Sequence, residues 1–334
     1  MWRNVECIHG VPLERNPRMS AQKSVRFRDR SLLSPDFPIR LLSYTLRRAG
    51  EFALRQGRRL ECIRIPDRET RRLLASNKEF EGCFRGRRAF VVGNGPSLGH
   101  HDLTLLADEI VMVSNGFACH PILSQWQPFS LTLVDPLYFE RWEEFRVEFE
   151  RIRSNLRCLI FIPASAREVV IRHRLLPLER CRFVGHAGSM AYHDSWHPDL
   201  TQVIPGAQNV VLQLIASALY MGCDPIYLVG LDHDFLASPK KALHFSADYE
   251  SDVKLDLYPS WEYIKLIRAC ELMWLGYENI CKVAGCRGQR IINASQGGYL
   301  DVFPRADYRL LFETSKPDVT AKLVSGGSAQ SAGM

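Results

Sequence analysis

The sequence predicts an α/β fold built on a doubly wound, mostly parallel sheet, and three observations carry that prediction. Short apolar, β-branched runs such as Ala89-Phe90-Val91-Val92 and Pro225-Ile226-Tyr227-Leu228-Val229 have the length and composition of buried strands. Helical or turn segments separate these runs from residue 88 onward, which is the grammar of parallel strands joined by crossovers. Several runs end in Gly, Asn, Ser or Asp, the residues that shape the ligand-bearing turns of such sheets.

The elements follow in order. Residues 1–35 contain Pro12, Pro17 and Pro35, show little apolar periodicity, and read as an irregular arm. Residues 36–80 form a basic helical extension. Within it, Leu42, Leu46, Ala49 and Ala53 recur at helical spacing from Ile39 to Arg55, with Arg40, Arg47, Arg48 and Arg55 around them. Such a helix either packs against its own domain or faces anionic lipid at an interface. The main domain, residues 81–314, opens with a strand over 88–93, a helix near 102–107, a strand over 109–115, a short helix and a strand over 129–135. A charged amphipathic helix from Leu137 to Asn155 and a strand from Arg157 to Pro163 come next. Residues 185–206, rich in Gly, His, Ser and Pro, read as a long loop of the kind that serves as a lid or binding segment. Asn209 to Gly222 is a helix leading into the strand Pro225 to Asp232. Tyr263, Leu266, Cys270 and Met273 share a helical face that is expected to stop at Gly276, followed by short strands over Asn279–Val283 and Arg290–Ala294. Residues 315–334 are small and polar and read as a disordered tail.

Composition narrows the function classes. With 334 residues, 46% of them hydrophobic, the chain can bury a core without disulfides. Its ten cysteines are scattered without Cys-x-x-Cys spacing, which suits a reduced, cytoplasmic compartment. Met1 to Glu6 holds no apolar signal core, and Val210 to Met221 is too short to span a bilayer, so any membrane contact is expected to be peripheral, at the inner face. The net charge of +6 is uneven, because up to residue 90 Lys and Arg exceed Asp and Glu by about 11. Nucleic acid is not the expected partner, since those arginines lack interleaved aromatics and no binding module surrounds them.

Chemistry is expected at the strand ends. Gly93-Asn94-Gly95-Pro96-Ser97 forms a turn suited to phosphate. It is neither a P-loop nor a Gly-x-Gly-x-x-Gly fingerprint, because Leu98 stands where the third glycine belongs. Later strands end at Ser114-Asn115-Gly116, at Asp135-Pro136 and at Asp232-His233-Asp234. Each alone reads as a helix cap or turn former, while together they outline a polar pocket that holds a nucleotide with few cations. Asp232 and Asp234 either bind Mg²⁺ beside a diphosphate or anchor the loop, with Asp234 in solvent. His244 is singled out as a proton acceptor or leaving-group stabiliser, against a packing role. His100, His101, His186 and His193 lack comparable neighbours. No Gly-x-Ser-x-Gly or His-Glu-x-x-His occurs, which removes the footing for hydrolase and zinc-peptidase readings.

The segments Val91 to Leu98, Ser114-Asn115, Asp135-Pro136, Tyr227 to Phe235, Ile292 to Gly298 and Val302 to Arg305 resemble bacterial surface-polysaccharide proteins that share the hydroxymethylpterin diphosphokinase-like domain. That domain is itself similar to bacterial CMP-sialic acid-dependent sialyltransferases. The resemblance covers about residues 80–312. It implies a Rossmann-like, sialyltransferase-like transferase in which Asn94, Ser97 and Asn115 hold a cytidine nucleotide. The sialyltransferases carry a basic histidine before their last large helix, where this chain reads Asp256-Leu257-Tyr258-Pro259-Ser260-Trp261. His244 falls nearer a phosphate-binding tyrosine, so the resemblance assigns it to the leaving group. Three readings follow. The first is a glycosyltransferase that moves a nonulosonic acid or Kdo from a CMP-sugar to a cell-surface glycan or lipid-linked acceptor, requiring no cofactor. Its site comprises His244 and Asp232 as catalytic groups, with Gly93, Asn94, Gly95, Pro96, Ser97, Asn115, Asp135 and Asp234 binding the nucleotide. The second is an ATP-dependent hydroxymethylpterin diphosphokinase with Mg²⁺ on Asp232 and Asp234. The third is a nucleotide-binding assembly protein without turnover.

Overall fold

The computed structural model describes residues 35–61, 65–234, 237 and 263–313. Eight parallel strands form one sheet: β1 Ala89–Val92, β2 Ile110–Ser114, β3 Ser130–Thr132, β4 Leu159–Pro163, β5 Cys181–Ala187, β6 Val203–Pro205, β7 Ile226–Val229 and β8 Ile291–Asn293. Their spatial order is β6-β5-β4-β3-β2-β1-β7-β8, every pairing parallel. From β1 the chain winds outward through β2 to β6, then returns to place β7 and β8 on the other side. The order therefore reverses between β1 and β7, and in open α/β sheets ligands settle in the crevice at such a point.

Buried strands need helices on both faces, and the alternation of side chains shows two cores. Phe90, Val92, Val111, Val113, Leu131, Ile160 and Ile162 point into one, with α3 (Leu137–Glu140), α4 (Arg146–Asn155) and α5 (Arg167–His173) on that side. Ala89, Val91, Ile110, Met112, Phe161 and Leu228 point into the other, against α6 (Val210–Tyr220) and α7 (Tyr263–Cys286). Helix α6 is buried on nearly every side, Gln213 and Ser217 included, because it lies between sheet and α7, and Asn209 caps its N-terminus by accepting from the Leu212 N–H at 3.0 Å.

Two helices precede the sheet. Helix α1 (Phe37–Glu61) is almost wholly exposed. Helix α2 (Arg68–Ala75) packs on β5, where Gly185 leaves room for Leu74: a β-carbon there would lie 3.0 Å from Leu74 Cδ1. Just after α2, the buried Asn77 donates to the Phe183 and Leu200 carbonyls at 2.7 and 2.9 Å, tying this segment to the sheet.

Four local expectations are corrected. The loop expected over 185–206 contains the end of β5 and all of β6. Arg182, Gly185 and His186 break the apolar run, and pairing with β4 supplies what local preference does not. The helix expected from Leu137 to Asn155 is two, broken after Glu140 so that Phe145 stacks on Tyr138 at 4.3 Å. Helix α7 does not stop at Gly276, and residues 279–283 are helical rather than a strand. A β-carbon at Gly276 would lie 2.8 Å from Leu212 Cδ1, so this glycine permits close packing of α7 on α6 instead of ending the helix. The helix expected near 102–107 is a single 3-10 turn, Leu103–Leu106, capped by Asp102.

Candidate functional site

Three loops meet at the crevice, and close backbone approach fixes them. After β1, the Gly93 N–H donates to the Val229 carbonyl at 2.8 Å and the Gly95 N–H to the Gly230 carbonyl at 2.9 Å, clamping the first loop onto the β7 loop. A β-carbon at Gly93 would lie 2.4 Å from Leu231 Cδ2, and one at Gly95 would lie 2.0 Å from Asp232 Oδ2. Glycine is required at both positions for space rather than for backbone angle. Pro96 opens a 3-10 turn, Pro96–His100, whose Ser97 N–H donates to Asp232 Oδ2 at 3.1 Å. The third loop follows β8. Ser295 Oγ accepts from the Leu231 N–H at 2.9 Å, the Tyr299 N–H donates to the Asp232 carbonyl at 2.8 Å, and Gly298, at φ 76°, leaves space for the Asp232 backbone. The ring nitrogens of His101 lie 2.8 and 3.1 Å from the Ser97 and Ala294 carbonyls, joining the first and third loops.

Asp232 is thus the hub of the crevice. It is buried, its carboxylate caps the Pro96 turn, and its backbone holds the third loop. Through these contacts it ties the first and third loops together. Strand β7 ends at Val229, and Gly230 and His233 take positive φ values of 71° and 50°, so Asp232 and Asp234 do not continue a strand with both carboxylates on one face. Among the described residues, no group of three or more His, Cys, Asp and Glu side chains gathers as a metal-binding set. Asp135 caps α3, accepting from the Leu137 N–H at 3.0 Å.

Several buried polar atoms near the strand ends lack partners within the chain. Seven buried side-chain oxygen or nitrogen atoms among the described residues lack a hydrogen bond within the chain, and four of them lie at or beside the ends of β1, β2 and β3: Asn94 Oδ1, Ser97 Oγ, Asn115 Oδ1 and Thr132 Oγ1. Asn94 donates through Nδ2 to the Ser114 carbonyl at 3.0 Å, which fixes its amide so that Oδ1 is the free acceptor. Asn115 holds φ at 43°, a conformation that asparagine tolerates better than other side chains. Thr132 pairs with Ser114 across the β2–β3 ladder. A buried polar group left without any partner costs about 1–3 kcal/mol, so such groups are normally met by water or by a ligand.

Besides His101, the described residues bring His233 to the crevice, a histidine that the sequence does not single out. Its Nε2 lies 2.8 Å from Tyr277 Oη, which also accepts from Asn209 Nδ2 at 2.8 Å. In the Nδ1–H tautomer, Nε2 accepts the phenol's proton while the phenol oxygen accepts from Asn209. Burial pushes its pKa down to about 4 against the opposing charge of Asp234, so it is neutral near pH 7 and a weak proton acceptor. Its place is positional, linking the β7 loop to α7 and, through Asn209, to α6. The sequence offers only Asp-His-Asp as a signal, and the partner lies 44 residues away. Thr132 was also missed, although a polar residue inside a buried strand is a signal. His186 pairs with Gln213 Oε1 at 2.6 Å inside the core, where burial lowers its pKa. His244 lies outside the described residues.

No protein-family model matches the sequence, nor does any curated protein sequence. Comparison with solved structures finds the sialyltransferase CstII from Campylobacter jejuni in complex with a substrate analogue, cytidine-5'-monophosphate, at 15% identity and a TM-score of 0.40, covering 66% of this chain and 85% of that one. The MAf glycosyltransferase from Magnetospirillum magneticum AMB-1 is similar at 13% identity and a TM-score of 0.40, covering 72% of this chain but only 38% of that one. Overlap at this level is partial.

Proposed function

We propose that this chain is a glycosyltransferase that moves an acidic sugar of the nonulosonic acid or Kdo type from its CMP ester to a cell-surface glycan or lipid-linked acceptor. The observation that carries the reading is the set of unpartnered atoms at the carboxyl ends of β1, β2 and β3: two amide oxygens, Asn94 Oδ1 and Asn115 Oδ1, and two hydroxyls, Ser97 and Thr132. Amide oxygens accept from an exocyclic amine or ribose hydroxyl, and hydroxyls donate to phosphate, so the set suits a nucleotide monophosphate without a cluster of cations.

In the reaction, an acceptor hydroxyl attacks the anomeric carbon as the bond from that carbon to the CMP phosphate oxygen breaks. The electron pair stays on CMP, and the acceptor's proton passes to a base. The sugar's carboxylate lies next to the reacting carbon, and CMP is a good leaving group, so the protein's part is positioning and leaving-group stabilisation. Asp232, Gly93, Gly95 and Pro96 hold the shape of the cradle. Asn94, Ser97 and Asn115 contact the nucleotide, Asp135 and Asp234 border it, and His244 stabilises the departing phosphate. This step needs no cofactor.

The test is release of CMP from CMP-activated nonulosonates and CMP-Kdo, measured with glycan acceptors present and Mg²⁺ chelated. The reading expects release with at least one donor, reduced by His244→Ala. A chain inert to all such donors that transfers diphosphate from Mg²⁺-ATP to a hydroxymethyl pterin would overturn it.

A further inference from the structure

Helix α1 is the largest feature that the transferase site does not use. Its 25 residues span about 38 Å. The described side chains from Pro38 to Leu54 are all exposed, with Ile39 at 69%, Leu42 at 59% and Leu46 at 63%, and Leu60 further along at 65%. At about 100° per residue, Ile39, Leu42, Leu46, Ala49, Ala53 and Leu60 fall on one stripe, while Arg40, Arg47 and Arg48 lie outside it among the exposed Leu41, Tyr44, Phe52 and Leu54. The helix carries six arginines against two glutamates and no lysine. It meets the body of the protein at the turn Met190–Tyr192, which follows β5.

An apolar stripe left in water is normally covered, and the charge of the other face selects the cover. A surface that accepts leucine side chains on one side and arginines on the other is an acyl boundary beneath phosphate headgroups. Arginine also pairs with phosphate oxygens in bidentate fashion, which suits it to that layer better than lysine. Among the described residues no helix is long and apolar enough to cross a membrane, so the mode is lying on the surface.

We propose that α1 is an interfacial anchor that docks the protein on an anionic bilayer, with Ile39, Leu42, Leu46 and Leu60 in the acyl boundary and the arginines against headgroup phosphates. The proposal goes beyond the transferase reading and does not rest on it.

The test is co-sedimentation of the full chain with vesicles of phosphatidylcholine alone and of phosphatidylcholine mixed with phosphatidylglycerol. Binding is expected only to the mixed vesicles and falls as salt rises. Because α1 is exposed, Leu42→Glu with Leu46→Glu leaves the core intact, shown by an unchanged circular dichroism spectrum and melting temperature, yet weakens vesicle binding by about tenfold or more. Arg47→Ala with Arg48→Ala removes much of the salt-sensitive part. Equal binding to both vesicle types, binding unchanged by the Leu42 and Leu46 substitutions, or a vesicle-indifferent dimer that those substitutions dissociate would each overturn the proposal. CMP binding by the same variants is read separately, so failure of the anchor and failure of the transferase reading are distinguishable.

Discussion

The Asp232 carboxylate fills the space that a side chain at position 95 would need, since a β-carbon built on Gly95 would lie 2.0 Å from Oδ2 and 2.7 Å from the Gly230 carbonyl oxygen. The Gly-Asn-Gly turn and the Asp-His-Asp strand end are therefore one interlocked unit. Gly95→Ala is expected to cost about 1–3 kcal/mol in urea unfolding, because a backbone carbonyl as well as the carboxylate must shift. It should also abolish CMP binding in calorimetry. Native-like affinity in this variant would contradict the interlock.

The anchoring role of Asp232 separates two substitutions. Asp232→Asn keeps an oxygen to accept from the Ser97 N–H and should cost less than Asp232→Ala, which leaves that buried donor unpaired at about 1–3 kcal/mol. If the carboxylate charge were itself catalytic, Asp232→Asn would lose turnover as completely as Asp232→Ala. The expected outcome is substantial turnover retained in the asparagine variant, measured as CMP release.

The unpartnered atoms predict that function and stability part company. Ser97→Ala removes a buried hydroxyl with no partner, and Asn115→Gly removes an unpartnered amide oxygen while relieving a φ of 43°. Both variants are expected to melt at or above the wild-type temperature while binding CMP at least about tenfold more weakly, the loss of one good hydrogen bond to a charged or buried group. Calorimetric melting beside titration checks both halves.

His233 makes folding sensitive to acid. Its pKa is lowered from 6.5 in the unfolded chain to about 4 in the native state by burial. The unfolded state therefore takes up a proton first as pH falls. The stability associated with the neutral imidazole is full above about pH 6.5, is lost between 6.5 and 4, and is constant below, up to about 3 kcal/mol in all. His233→Asn, which tolerates the left-handed backbone, should lose about 2–3 kcal/mol less than wild type between pH 7 and pH 4.5 in urea unfolding. Parallel losses would contradict the assignment.

The sheet was legible because its central strands are short apolar runs with turn residues after them. The reversal between β1 and β7 follows from pairing that no local window contains. Cys181 to Ala187 escaped because Arg182, Gly185 and His186 dilute its strand pattern, and Gly276 misled because its use is contact with Leu212 rather than termination. The turn from Gly93 to Ser97 and Asn115 stood out by composition. The link from His233 to Tyr277 and Asn209 did not, since three separate elements supply it.

Titration of CMP into the chain with all divalent cations chelated tests the central claim most directly. Saturable binding that raises the melting temperature, and that weakens in Ser97→Ala and Asn115→Gly, is the result expected of a CMP cradle at the carboxyl ends of β1, β2 and β3. Absence of CMP binding, with a melting shift produced only by Mg²⁺-ATP, would contradict it.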